Sequence, residues 1–205
     1  MINRETRPIA VDALRKLMEQ MLLAVACDAE TARELANVHL EADLRGVSVQ
    51  GLNHLTNSHI PKLKKKKEDP AGKPSIVKET DACALVDGAS GPGPIAAYFA
   101  ADLAVRKAKK TGCCVVGITN SHDLYQAGLY VERIAREGLV GFVYSDDVVP
   151  VVHPLGGSEP VIGSNPMAIA VPTESDPFLL DFAPCATLPT YVRYSKRYGL
   201  SLIHI

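Results

Sequence analysis

The sequence predicts an α/β layered sheet preceded by a helical region, and three observations predict it. Between residue 11 and about residue 60, apolar side chains recur at three- and four-residue spacing, the period of amphipathic helices. From Ile76 onward, short β-branched runs alternate with longer stretches of helical spacing. Between the two lies Lys62–Pro74, a charged run ended by proline and glycine that reads as a solvated connector. Alternating strands and helices bury their apolar faces by stacking in layers, so the second region reads as a layered sheet and the first as a helical subdomain.

Each element has its own signal. Val11, Leu14, Leu17, Met18, Met21 and Leu22 make the apolar stripe of a first helix. Asp28 is a side-chain N-cap for a second, which runs through Leu35, Val38 and Leu44 and stops at Gly46. A third is expected to begin near Ser48 and to bury Leu52 and Leu55, with Ile60 at its margin. Cys83–Gly88 reads as a short strand and turn. Pro92 and Pro94 suit the first turn of a long helix through Ile95, Phe99, Leu103 and Ala108 to Gly112. A buried strand follows at 113–119, then a helix at about 126–137 with Gly138 as its C-cap. Leu139–Tyr144, Met167–Val171 and Phe178–Phe182 are the remaining strands. The expected boundaries are therefore 1–74 for the helical region, 75–198 for the α/β region and 199–205 for a distinct terminus.

The composition narrows the functional classes. The chain has 205 residues, 47% of them hydrophobic, enough to bury a sizeable core. Its 22 basic and 23 acidic residues leave a net charge of −1, which gives no electrostatic case for nucleic acid or an anionic membrane surface. No aromatic residues interleave the lysines of the connector, and acids follow them at once. The apolar stretch Met21–Cys27 is too short to span a bilayer. The five cysteines form no CxxC pair and no zinc spacing, and their odd number, without a signal peptide, suggests reduced thiols and a cytoplasmic setting.

Chemistry is expected first at Thr119-Asn120-Ser121-His122-Asp123, a polar cluster between a buried strand and a helix. Backbone N–H groups and side chains converge at such strand ends, and His122 and Asp123 bring a titratable pair there. The same run can simply cap the following helix. Gly88–Ala96 loosely fits a dinucleotide fingerprint, but its prolines remove N–H donors and no acidic residue ends the next strand, so a helix-capping turn is the better reading. Asp43–Gly51 is a polar corner in which Arg45 can pair with Glu41. Asp146, Asp147 and His153 lie in a long loop and read as solvated rather than as a metal site. Gly163–Pro166 is a turn whose Ser164 hydroxyl and exposed N–H groups could cradle an anion.

In this order, Glu41–Gly46, Ala84–Gly88, Thr119–His122, Gly156-Gly157, Gly163–Pro172 and Leu180–Ala183 resemble the malate/L-lactate dehydrogenase family of NAD(P)-dependent oxidoreductases. That family is distinct from the Rossmann-type lactate and malate dehydrogenases, and the similarity runs from about residue 6 to about residue 198. The resemblance implies a three-layer α/β/α core with a mixed sheet, an N-terminal helical region and a homodimer. It also implies hydride exchange between NAD or NADP and the α-carbon of a small 2-hydroxy, 2-oxo or imino acid. Carried over by position, Asp147, Asp181, Phe182 and Ala183 would contact the cofactor, and Ser164 and Asn165 would shape the same pocket.

The departures from the family pattern set the expected site. Where the family usually shows Ser-His before a glycine, Val49-Gln50 stand here, and His54 replaces an arginine. In the Asn-Ser-x-His pattern, the acid/base histidine aligns with Asp123, and His122 fills the variable place. The resemblance thus puts proton transfer on His122 and Asp123, and the substrate side on Arg45, Gln50 and His54. Family chains continue well beyond Tyr198 and residues 199–205 do not match, so the chain reads as an N-terminal portion of such a protein. The rival expectation is a non-catalytic paralogue that keeps a dimerising, nucleotide-binding scaffold.

Overall fold

The computed structural model describes residues 8–146, 149–185, 189–199 and 201. The chain divides into two compact units, Met1–Gly72 and Lys73–Ile205. Among the described residues, no helix is long and apolar enough to cross a membrane.

The first unit is helical. Helix α1 (Val11–Leu23) packs on α2 (Ala29–Leu44). Met18 and Leu22 are the fully buried part of the α1 stripe, while Val11 and Leu17 are exposed, so the stripe is narrower than its spacing predicts. The Asp28 carboxylate accepts the Thr31 N–H at 2.8 Å, the N-cap expected for α2. The expected third helix is instead three short pieces: α3 (Leu52–His54), a π segment (Leu55–His59) and α4 (Ile60–Lys64). Leu55 and Ile60 are buried as expected, and Leu52 is half-buried. Five residues apart on a regular α-helix, two side chains point about 140° apart. The i→i+5 closure of a π turn returns them to one side, and here it brings both His54 and His59 onto His39.

Among its described residues the second unit holds two three-stranded sheets, ordered β1-β2-β3 and β4-β5-β6. Strand β1 (Ser75–Glu79) runs antiparallel to β2 (Cys83–Asp87), which runs parallel to β3 (Val115–Thr119), so this sheet is mixed. The parallel crossover is α5 (Gly93–Thr111), which packs Leu103 and Phe99 over the buried Ala84 and Val86 and the half-buried Val116. Gly112 ends α5 at φ 84°, a left-handed conformation that a side chain would strain. The second sheet is antiparallel throughout: β4 (Gly141–Tyr144), β5 (Met167–Val171) and β6 (Phe178–Phe182). Its small inner residues Ala168 and Ala170 let α6 (Ala127–Arg136) pack closely through Ala127, Val131 and Ala135. A last helix, α7 (Pro189–Tyr198), lies where the sequence reading placed no element.

Helices α5 and α6 are tied to each other. Tyr98 meets Tyr130 edge-on at 5.0 Å between centroids, and the Arg133 guanidinium lies 5.1 Å over the Tyr98 ring. Arg133 also makes a two-pronged bond to Asp102 at 2.7 and 2.8 Å. That ion pair is exposed and contributes at most ~1 kcal/mol. The aromatic contact adds ~0.5–1.5 kcal/mol beyond the burial of Tyr130, so packing is the main tie.

Candidate active site

The C-terminal ends of β2 and β3 meet in register, Asp87 opposite Thr119. Two loops leave there and are stitched together by backbone and side-chain bonds. Gly88 N–H donates to Thr119 O, and Ser90 N–H to Asn120 O, both at 2.8 Å. The Asp87 carboxylate accepts Ala89 N–H at 2.8 Å and the Asn120 amide at 2.9 Å, and these two bonds, in that order of weight, hold its carboxyl below the usual range. The Ser90 hydroxyl donates to Asn120 Oδ1 at 2.7 Å. Asn120 therefore joins the loops. Ala89, Ser90, Asn120 and Tyr125 all take positive φ of 50–61°, a cluster of strained non-glycine backbone at one sheet end.

His122 and Asp123 lie in the loop from β3 to α6, His122 half-buried and Asp123 exposed. The first turn of α5 presses on their backbone: a Cβ at Gly93 would strike the carbonyl oxygens of both. Downstream, the buried Tyr130 hydroxyl donates to Leu124 O at 2.5 Å. Burial raises that phenol well above its ordinary pKa, so it stays a donor. Ser121 Oγ and Gln126 Nε2 are buried with no hydrogen-bond partner among the described residues.

Asp181 reaches the same loop's end. From β6 its Oδ2 accepts the Gly128 N–H at 2.8 Å, in the first turn of α6. Phe182, next along the strand, points to the opposite face of the sheet and is exposed, because successive strand side chains alternate. Ala183 follows, half-buried, and its carbonyl accepts the Cys185 N–H at 2.8 Å. In the turn before β5, Asn165 takes a φ of 43° and its amide donates to the Tyr144 hydroxyl at 3.3 Å, with Ser164 half-buried beside it. Asp147 lies outside the described residues.

In the first unit, Arg45 pairs with Glu41 at 3.3 Å on the surface, as the spacing allowed. The half-buried Asp43 carboxylate accepts the Leu52 N–H at 2.8 Å and so ties the end of α2 to the start of α3. Burial pushes its carboxyl up, against the opposing pull of that bond. Gln50 and His54 both meet His39: the Gln50 carbonyl accepts from His39 Nδ1 at 2.7 Å, and the His54 ring stacks on His39 at 6.1 Å. His39 Nε2 bonds His59 Nδ1 at 2.8 Å, and His59 Nε2 bonds Glu68 Oε1 at 3.0 Å. All three side chains are essentially inaccessible to solvent. The sequence reading missed this chain. Its one signal was that three of the six histidines fall between residues 39 and 59.

Known proteins resemble this chain in sequence and fold. The family model described as malate/L-lactate dehydrogenase matches residues 9–202. A malate dehydrogenase of Pyrococcus abyssi is 34% identical over 200 residues, covering 90% of this chain and 52% of that one. A ureidoglycolate dehydrogenase (NAD(+)) of Escherichia coli is 29% identical over 174 residues, covering 83% and 48%. The crystal structure of malate dehydrogenase from Entamoeba histolytica matches with a TM-score of 0.90 at 32% identity, covering 95% of this chain and 54% of that one. The chain spans about half the length of the curated relatives it matches.

Proposed function

This chain belongs to the malate/L-lactate dehydrogenase family, and from that premise we propose that it serves an NAD(P)-dependent oxidoreductase acting on small 2-hydroxy, 2-oxo or imino acids. The observation that carries the reading is the β2–β3 strand end, where strained backbone, buried polar atoms and the His122/Asp123 pair converge. The names of the similar proteins, malate dehydrogenase and ureidoglycolate dehydrogenase (NAD(+)), support the reaction class.

Two buried polar atoms at the strand end support a dinucleotide there. A buried polar atom without a partner costs ~1–3 kcal/mol, so Ser121 Oγ and Gln126 Nε2 suit a ligand rich in hydroxyl and amide groups. When bound, the nicotinamide donates or accepts the hydride. Ser164, Asn165, Asp181, Phe182 and Ala183 are assigned to the cofactor on the family motif, as is Asp147. Asp181 and Phe182 lie on opposite faces of β6, so Asp181 would act from the α6 side and Phe182 from the exposed side.

Oxidation of a 2-hydroxy acid removes a proton from the hydroxyl oxygen as the α-carbon loses hydride, and reduction returns it. We assign that proton to the His122/Asp123 pair, with half-buried His122 the better shielded of the two. Arg45, Gln50 and His54 are assigned to the substrate side. The exposed Arg45–Glu41 pair contributes at most ~1 kcal/mol, weak enough for a substrate carboxylate to replace Glu41.

We further propose the family's three-layer α/β/α arrangement and a homodimer in the cytoplasm. Supporting this, Phe142, Tyr144, Phe178, Leu180 and Phe182 stand exposed on β4 and β6, apolar surface that another layer or subunit would cover. The test is NADH and NADPH oxidation against a panel of 2-oxo and cyclic imino acids. Turnover of one class is expected. Tight cofactor binding with no turnover of any acid would instead favour the non-catalytic scaffold.

A further inference from the structure

The buried chain His39–His59–Glu68 has a direction that follows from hydrogen-bond chemistry alone. A carbonyl oxygen only accepts, so His39 Nδ1 must carry the proton it shares with Gln50 O at 2.7 Å. With His39 neutral, its Nε2 is an acceptor, and His59 Nδ1 must donate to it across 2.8 Å. His59 Nε2 and Glu68 Oε1, 3.0 Å apart, then share one proton between an imidazolium–carboxylate pair and its neutral form. Burial, with the neighbouring His59 and His54 rings opposing a second positive charge and only the Gln50 carbonyl favouring one, lowers the His39 pKa to about 3. The groups facing His39 are therefore His59, His54 and the Gln50 carbonyl, with Glu68 beyond His59.

We propose that His39, His59 and Glu68 are positioning residues for the corner that carries Gln50 and His54: a relay of fixed polarity that aims the Gln50 carbonyl and packs the His54 ring. Its place in catalysis rests on the proposed substrate-side role of that corner. The relay has a structural rationale in this sequence. Gln50 and His54 stand where the family pattern differs, and both touch His39 directly. A surface loop would let those two groups sample many orientations; a dry chain of three hydrogen bonds anchored at Glu68 removes that freedom.

Two variants of Glu68 separate positioning from mere packing. In Glu68→Gln the amide N–H can donate into His59 Nε2, so the relay keeps its direction with a neutral His59. In Glu68→Leu the His59 Nε2 loses the Glu68 carboxylate, and the His59 ring is no longer held at that end, while the Gln50 carbonyl still fixes the His39 tautomer. The first measurement is ring-nitrogen NMR on the full chain. All three proteins should show His39 protonated at Nδ1 and bare at Nε2 between about pH 5.5 and 8, and the His59 ring signals, sharp in wild type and Glu68→Gln, should broaden in Glu68→Leu. An Nε2–H tautomer or a cationic His39 in wild type over this range would overturn the relay. The second is steady-state kinetics with the acid identified in the panel: Glu68→Leu should raise substrate KM about tenfold with kcat within about threefold, and Glu68→Gln should restore KM. Equal KM in all three proteins would overturn the positioning role. A wild-type chain that turned over no acid would sink the functional reading instead, and the NMR outcome would still decide the relay.

Discussion

The Asp181 carboxylate accepts the backbone N–H of Gly128 at 2.8 Å, across 53 residues of chain. Gln126, the residue at the N-cap of α6, makes no side-chain capping bond, so the cap comes from a strand of the neighbouring sheet. One bond thus ties β6 to the point where the His122/Asp123 loop becomes helix. The negative charge also sits at the positive end of the helix dipole.

Loss of that tertiary cap should be measurable in stability. Asp181→Ala is expected to cost about 1 kcal/mol, the usual loss for a helix cap, and Asp181→Asn less because an oxygen acceptor remains. Urea unfolding of both variants checks this. Equal costs would mean that the charge, not the acceptor geometry, matters.

Gly93 lets the start of α5 lie against the backbone of His122 and Asp123. Gly93→Ala places a methyl onto two carbonyl oxygens that cannot rotate away. The variant should lose roughly 1–3 kcal/mol, and its loop signals in an NMR spectrum should shift. Wild-type stability with unmoved loop signals would show that the contact is looser than described.

His39 makes stability depend on pH in a defined window. Its folded pKa is lowered to about 3, whereas the unfolded side chain takes up a proton near ~6.5. Between those values the unfolded chain binds a proton that the native chain refuses. Stability therefore rises with pH across the window, and is lost as pH falls from about 6.5, by up to ~1.4 kcal/mol per pH unit. His39→Gln should flatten the acid limb by about one proton, read as unfolding free energy against pH between about 6 and 4.5. An unchanged slope would place the His39 proton elsewhere.

Proton transfer at the strand end is tested by removing each candidate. His122→Ala or Asp123→Asn should lower kcat about 10²–10⁴-fold for whichever residue handles the proton, with cofactor affinity little changed. If both variants turned over at the wild-type rate, neither residue would be the acid/base.

What the sequence determined by itself is the order and kind of most elements, because those signals are local. Asp28 caps α2, Gly112 ends α5, and Met167–Val171 and Phe178–Phe182 are strands, each from patterns within a few residues. The family motifs likewise marked the loop after β3. Packing decided the rest. The strands form two sheets rather than one list, and β6 pairing turns Asp181 toward α6 and Phe182 away from it. The expected helix after Ser48 is broken into three pieces by a π segment that brings His54 and His59 onto His39. Glu68, read from its neighbours as part of a solvated lysine run, is buried against His59 instead. A hydrogen bond between residues 9, 20 or 53 positions apart depends on how elements approach and exclude water, and periodicity within one element carries no information about that.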